Sequence, residues 1–152
     1  MRAVLAALEA GAEARDAAAM KEHVSERYRD ARGQDRRAVV ALVAFHFLEN
    51  RSVHLLVRVR AVEIGPPGEA RVDAVVAIAG VPIPAPESLV GLRADLYRFE
   101  LRLREEEGGA WRVVSAEWRP AALDEFSRAA GGGAIRAYAR AAGLAIAAAP
   151  AP

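Results

Sequence analysis

The sequence predicts an α+β domain in which helices come first and an antiparallel sheet follows. Up to about residue 50 the apolar residues recur at helical spacing, whereas from Val53 onward they alternate with polar residues, as in a half-buried strand. Segments rich in glycine and proline divide the alternating region into four strands. We therefore expect three N-terminal helices packed against a curved antiparallel sheet, followed by a C-terminal helical tail.

Length and composition limit the possible functions. A chain of 152 residues suffices for one domain with a core and is too short for two ordinary ones. Its 21 Lys and Arg residues are balanced by 20 Asp and Glu residues, so it lacks the basic excess that would neutralise a nucleic-acid backbone. It contains no cysteine, which excludes disulfides, thiolate nucleophiles and sulfur-ligated zinc. We expect no nucleic-acid partner.

The N-terminal region predicts two consecutive helices. Leu5 and Leu8 belong to an apolar stripe at helical spacing, and Asp16 is a suitable N-cap for a second helix carrying Met20 and Val24 on one side. Acidic residues interrupt the apolar start too early for a signal peptide. No stretch approaches the roughly 20 apolar residues of a membrane span. The sequence thus predicts a soluble chain, cytoplasmic as given, or periplasmic if a leader was removed.

The stretch from Tyr28 to Ile64 organises the predicted fold. A short strand at Tyr28–Asp30 leads through a turn at Gly33 into a helix from Arg36 to Asn50, with Asp35 as its N-cap. Apolar residues fill most positions of this helix, and the pattern therefore predicts a buried helix. A long alternating strand completes the stretch.

Three further strands complete the predicted sheet. The proline-rich segment 80–91 forms a loop with one helical turn at 87–90, and Gly108–Gly109 forms a tight hairpin between the last two strands. The hairpin register places three apolar pairs on the inner face: Phe99 with Trp118, Leu101 with Ala116, and Leu103 with Val114. The outer face is charged. It is either a solvated surface or a contact between the sheets of two copies.

The segment after Pro120 differs in composition from the rest. Leu123 and Phe126 indicate a short helix, Gly131–Gly133 a flexible joint, and the residues after it an alanine-rich amphipathic helix running into a Pro-Ala tail. We therefore expect a domain at 1–121 and a helical extension with a flexible tail at 122–152. The extension caps an opening in the core, contacts a partner or is loosely ordered.

The order of the elements resembles the nuclear transport factor 2-like superfamily, which includes SnoaL-like cyclases, ketosteroid isomerases, scytalone dehydratase and limonene epoxide hydrolase. The resemblance covers residues 2–121 and is carried locally by the following features: Ala6-Ala7-Leu8-Glu9-Ala10-Gly11, the helix restart at Asp16, Tyr28-Arg29-Asp30 with Gly33, and the run from Trp111 to Trp118. It implies a cone-shaped sheet, a cystatin-like roll, with a pocket at its wide end and frequent dimerisation. It implies no particular activity, because the fold carries enzymes and binding modules alike.

The resemblance also suggests catalytic residues. Asp30 lies where ketosteroid isomerases carry their proton-shuttling aspartate, but Val4 stands where their first helix supplies an oxyanion-binding tyrosine. The alternative for Asp30 is a carboxylate that caps a turn. Arg93 and Asp95 should point into the cone by strand parity and resemble part of the limonene epoxide hydrolase triad, without the acid expected on the last strand. Their alternative is a buried structural ion pair near the cone mouth.

Aromatic residues and histidines give a second group of candidates. The residues expected to line a pocket are Tyr28, His46, Tyr97, Phe99 and Trp118. The aromatic ones bind an apolar or ring-shaped ligand or fill the space themselves. His46 lies on an apolar helix, where a histidine is more often a hydrogen-bonded core residue. The three histidines come from different elements, so neither a metal site nor a cofactor is predicted.

These observations lead to one expected function and two alternatives. The expected function is binding of a small apolar ligand, or service as a non-catalytic accessory module, by a homodimer formed through the outer sheet face. One alternative is a small-molecule isomerase, dehydratase or hydrolase that uses Asp30 as its base. The other is a protein-interaction domain. An open cavity would favour the ligand binder or the enzyme, and a filled cone the interaction domain.

Overall fold

The structure, a computed structural model, describes residues 2–128 and confirms the predicted α+β fold. The elements are α1 Arg2–Glu13, α2 Ala17–Lys21, α3 Arg36–Glu49, β1 His54–Gly65, β2 Glu69–Ala79, β3 Asp95–Glu105, β4 Trp111–Pro120 and α4 Leu123–Arg128. The four strands form one antiparallel sheet in the order β1-β2-β3-β4. The three N-terminal helices share a core with its inner face. The joint and amphipathic helix predicted beyond Arg128 lie outside the described residues.

The helix starts predicted from the sequence are confirmed. The side chains of Asp16 and Asp35 each accept the backbone N–H three residues further on, at 2.9 and 2.8 Å. Between α1 and α2, Arg15 adopts a positive φ of 55° and donates to the carbonyls of Phe47 at 3.1 Å and Asn50 at 2.8 Å. Arg15 therefore ties the first two helices to the C-terminal end of α3.

The prediction that α3 is buried holds for one of its faces only. Val39, Val43 and Phe47 are buried against the sheet. Phe45 and Leu48 are 57% and 84% exposed, although both are apolar. The composition of α3 is apolar all round, but the described residues leave Phe45 and Leu48 largely uncovered. The interpretation as a wholly buried helix was therefore wrong.

The short strand predicted at Tyr28–Asp30 is not formed. The only ladder pairing there is one antiparallel bridge between Arg29 and Asp35, because the turn reverses the chain at once. The segment before it runs beside β4, where Val24 pairs in parallel with Val113 and Arg29 donates its N–H to a β4 carbonyl at 3.0 Å. This segment therefore borders the sheet without becoming a strand.

The predicted hairpin register is confirmed for two of its three pairs, Phe99 with Trp118 and Leu101 with Ala116. A β-bulge after Arg102 places Leu103 opposite Val113, so the predicted pairing of Leu103 with Val114 is wrong. The extra residue turns Val113 into the core, where it has no exposed surface. Gly108 and Gly109 both have positive φ in the turn that joins these strands, which explains why glycine stands at both positions.

A second small core covers part of the outer face of the sheet. Val75 and Ala77 on β2 pack there with Leu89 and with Phe126 of α4. Arg58 lies 4.9 Å above the Phe126 ring and donates to the Phe126 carbonyl at 3.0 Å. The first turns of the predicted C-terminal extension are therefore packed on the sheet. The domain boundary at residue 121 stays a prediction.

Ion pairs link α4 to the outer face. Asp73 accepts from two nitrogens of Arg98 at 3.0 and 2.9 Å, and it lies 3.7 Å from Arg60. Glu125 of α4 accepts from two nitrogens of Arg119 at 3.0 and 2.8 Å and lies 3.7 Å from Arg98. Arg98 thereby joins the carboxylates of β2 and α4.

We expect acidification to weaken the docking of α4. The Arg119 guanidinium and the Ala122 N–H lower the pKa of Glu125 from 4.5 to about 2. A carboxyl group whose pKa is lower in the folded state stabilises that state fully above its unfolded pKa, and this contribution is lost as the pH falls through the folded pKa. The free energies of unfolding of the wild type and Glu125→Gln should therefore differ at neutral pH and converge between pH 4.5 and about 2.

Urea denaturation at a series of pH values measures this convergence. The control is Glu107→Gln, because Glu107 is exposed in the hairpin turn and makes no ion pair within residues 2–128. The control should match the wild type at every pH. A difference between Glu125→Gln and the wild type that does not change with pH would contradict the prediction.

Candidate functional site

A ladder of aromatic rings lies on the inner face of the sheet where β3 begins and β4 ends. The ring centroids of Tyr97 and Phe99 are 6.1 Å apart, and those of Phe99 and Trp118 are 6.4 Å apart. Phe99 pairs directly with Trp118 across the strands, which places both rings on one face. The cone therefore has an aromatic wall at this end.

The carboxylate of Asp30 is held by the turn that contains it. One oxygen accepts the backbone N–H groups of Arg32 at 2.9 Å and Gln34 at 3.0 Å, and the other accepts the Tyr28 hydroxyl at 3.2 Å. Burial and the neighbouring carboxylate raise the pKa of Tyr28, so the phenol remains a donor. This geometry is that of the turn-capping alternative. The role of Asp30 as a base stays a prediction.

Two of the predicted pocket residues fill the centre of the cone. Tyr28 and Phe99 have no solvent-exposed surface. A side chain that lined a cavity large enough for water would expose area to it, and neither of these does. Trp118 is 8% exposed, and Tyr97 and His46 are partly buried nearer the surface. Filling, one of the two alternatives for the aromatic residues, therefore describes Tyr28 and Phe99.

His46, Asp95 and Tyr97 form a polar group at the rim. Burial lowers the pKa of His46, and the carboxylates of Glu49 and Asp95 offset part of this effect. Burial and Asp95 together raise the pKa of Tyr97. At neutral pH the rim therefore presents a neutral imidazole and a neutral phenol close to acidic side chains.

Arg93 and Asp95 do not form the predicted buried pair. β3 begins at Asp95, so Arg93 lies in the preceding loop, where strand parity does not set its direction. Both residues are exposed, and no ion pair joins them. The predicted buried ion pair was therefore wrong, whereas Asp95 shares the strand parity of Tyr97 as expected. A catalytic role for either residue remains a prediction.

The structure brings together two residues that the sequence did not connect. The guanidinium carbon of Arg32 lies 4.3 Å from the centroid of the Trp118 ring. The Trp118 Nε1 is buried and has no hydrogen-bond partner within residues 2–128. Arg32 belongs to the turn after Asp30 and Trp118 to the last strand, and no sequence spacing indicates such a contact between distant segments.

The outer face carries its charges in rows across the strands. One row consists of acidic residues on three neighbouring strands: Asp73 on β2 faces Glu100 on β3, which faces Glu117 on β4. We call this row the acidic stripe. On one side of the acidic stripe lies a pair of facing arginines, Arg71 and Arg102, which we call the basic stripe. On its other side lies a second pair of facing arginines, Arg98 and Arg119. A shallow cleft of about 350 Å³ is lined by both stripes together with neighbouring side chains.

Among residues 2–128 no three His, Asp or Glu side chains come close enough to hold a metal ion. Within the same residues no helix has the length and apolar character needed to cross a membrane.

Comparison with known proteins yields matches at the level of structure only. No family model matches the sequence, and no curated protein matches it. A protein of unknown function with a cystatin-like fold from Caulobacter vibrioides shares 16% identity at a TM-score of 0.61, over 83% of this chain and 90% of that one. A candidate dehydratase of the NTF2-like family from Streptomyces avermitilis shares 15% at a TM-score of 0.60, over 79% and 92%.

A longer protein also contains this fold. Bd1075 from Bdellovibrio bacteriovorus shares 9% identity at a TM-score of 0.58, over 76% of the present chain. The matched region is 37% of Bd1075, so the chain spans little more than a third of that protein. At these identities the similarities concern the fold alone, and they confirm the predicted cone.

Proposed function

Since the chain has the cone fold of the nuclear transport factor 2-like superfamily, we propose that it is a non-catalytic accessory module that acts by associating with a protein surface, in the first place a second copy of itself. The observation that carries this proposal is the filled centre of the cone, where Tyr28 and Phe99 have no exposed surface. A ligand carrier or an enzyme of this fold needs a cavity that encloses its ligand. Here aromatic rings occupy that space.

The enzymatic alternative has less support from the same region. A general base must come within hydrogen-bond distance of the proton that it removes. Both oxygens of Asp30 already accept hydrogen bonds, from the Tyr28 hydroxyl and from two backbone N–H groups. Val4 cannot supply an oxyanion donor from the first helix. The Streptomyces avermitilis protein is described as a candidate dehydratase, but its 15% identity to this chain gives no support for the same activity here.

The charge rows of the outer face favour a second copy as the partner. Like charges directly opposite one another across strands are unfavourable, and Glu100 faces Glu117 in this way. Within residues 2–128 neither of these glutamates makes an ion pair, and neither does Arg71 or Arg102. A two-fold axis parallel to the rows and between them would bring the acidic stripe of each copy against the basic stripe of the other. Association would thereby neutralise charges left unpaired in the monomer.

Replacing Glu117 with lysine is therefore expected to abolish self-association while stabilising the monomer slightly. In the monomer the change replaces a glutamate pair by an attractive one, an effect of about 0.2–1 kcal/mol for a cross-strand pair. In the dimer it would place a lysine against the basic stripe of the second copy. Sedimentation equilibrium measures the dissociation constant, and urea denaturation below that concentration measures monomer stability.

Matched variants test the geometry of the contact. Glu107→Lys makes the same charge change in the hairpin turn, away from both stripes, and should leave the dimer intact. Arg102→Glu should abolish the dimer as Glu117→Lys does. A mixture of these two variants should associate again, because each changed charge then meets its opposite. A monomeric wild type would contradict the proposal.

A further inference from the structure

We propose that Arg32 and the indole N–H of Trp118 form a binding site for a monocarboxylate at the rim of the cone. This inference goes beyond the proposed function, because self-association uses the outer face of the sheet, whereas Trp118 points to the inner face beside Phe99. Two independent observations support it. One is the state of the Trp118 nitrogen, and the other is the position of the Arg32 guanidinium.

The Trp118 nitrogen is a buried donor without an acceptor. Trp118 is 8% exposed, and no atom of residues 2–128 accepts a hydrogen bond from its Nε1. An indole nitrogen can only donate, and buried tryptophan N–H groups usually have a partner. A ligand oxygen at this edge of the ring would satisfy the donor.

The Arg32 guanidinium supplies the second donor group and the charge. Its central carbon lies over the face of the indole, 4.3 Å from the ring centroid. Arg32 is exposed and makes no ion pair within residues 2–128. The nearest turn carboxylate, Asp30, accepts the backbone N–H of Arg32 and not its guanidinium. The cation–π contact orients the guanidinium and leaves its positive charge available to a ligand.

A carboxylate matches this pair of donors. Its two oxygens can accept from a guanidinium and from a neighbouring N–H at the same time, and charge-assisted hydrogen bonds of this kind are strong. The carboxylates of Asp30 and Asp95 at the same rim disfavour a ligand with more than one negative charge. Tyr97, which lies beyond Phe99 in the aromatic ladder, is a further partly exposed ring on the same face.

Benzoate is a suitable probe, and benzamide is its neutral counterpart. Titration of the full chain with benzoate should shift one of its two indole N–H resonances saturably in a ¹H–¹⁵N spectrum, and Trp118→Phe should remove that resonance. Calorimetry should give at least tenfold weaker binding for benzamide than for benzoate. Arg32→Gln and Trp118→Phe should each weaken benzoate binding at least tenfold, and the phenylalanine keeps a ring in the core.

The matched control is Arg37→Gln, since Arg37 is an exposed arginine on α3 that makes no contact with Trp118. It should bind benzoate like the wild type. Three results would overturn the proposal. They are the absence of a saturable shift, equal binding of benzamide, and wild-type affinity in both Arg32→Gln and Trp118→Phe. None of these bears on the oligomeric state, so this inference and the proposed self-association can fail separately.

Discussion

We expect Phe99→Ala to lower the free energy of unfolding by about 3–5 kcal/mol, the range found for buried phenylalanines. Phe99 has no exposed surface and lies between Tyr97 and Trp118 in the aromatic ladder. Its neighbour on β2 is Ala74, which is too small to move into the vacated space. The loss of transfer free energy and the cavity left behind therefore add together. Urea denaturation measures the change.

The same substitution should also open the cone. A cavity lined by apolar side chains stays dry and binds small apolar molecules such as benzene. Benzene should therefore raise the melting temperature of Phe99→Ala and leave that of the wild type unchanged. The control is Phe45→Ala, the same change at a position 57% exposed on α3, which should alter stability by less than about 1 kcal/mol. Stabilisation of the wild type by benzene would show that the cone is already open.

Local signals in the sequence predicted the helices well. The caps at Asp16 and Asp35 depend on contacts within three residues, and the alternation in β1 depends on neighbours two positions apart. Such features do not require knowledge of the rest of the fold. The exposure of Phe45 and Leu48 does require it, because composition does not reveal which face of a helix is covered.

Features that depend on distant residues were missed. The β-bulge turns Val113 inward, and Val113 pairs there with Val24, a residue far away in the sequence. In the segment that follows Val24, the short strand predicted at Tyr28–Asp30 is reduced to a single bridge between Arg29 and Asp35. Nor does any periodicity connect Arg32 with Trp118. The resemblance to a family suggested Asp30 as a proton-shuttling aspartate. The turn-capping alternative, which depends only on residues two to four positions away, describes its hydrogen bonds to Arg32 and Gln34.

One missed feature had a signal in the sequence. β2 contains Val75 and Ala77 at positions that alternation assigns to the outer face, so its second half is apolar on both faces. A continuous apolar run is typical of a strand that is covered on both sides. This run therefore indicated that some element covers the outer face, and Phe126 was the large apolar residue available downstream.

Phe126→Ala is accordingly expected to destabilise the protein by about 3 kcal/mol, the lower end of the range for buried phenylalanines, because α4 is short and lies at the edge of the fold. The change removes the ring from Val75, Ala77 and Leu89, and also from the guanidinium of Arg58. The control is Leu123→Ala on the same helix, which is 40% exposed and should change stability by less than about 1 kcal/mol. Urea denaturation compares the two variants.

A chain ending at residue 121 extends this test to the predicted domain boundary. If Phe126 completes the outer core, truncation should be at least as destabilising as Phe126→Ala, because it also removes the ion pairs of Glu125 with Arg98 and Arg119. A truncated chain as stable as the full one would mean that residues 2–121 fold without this cover. In that case the contact of Phe126 with β2 would contribute little, and the boundary predicted from composition would be correct. The destabilised outcome would instead make α4, Leu123–Arg128, part of the domain.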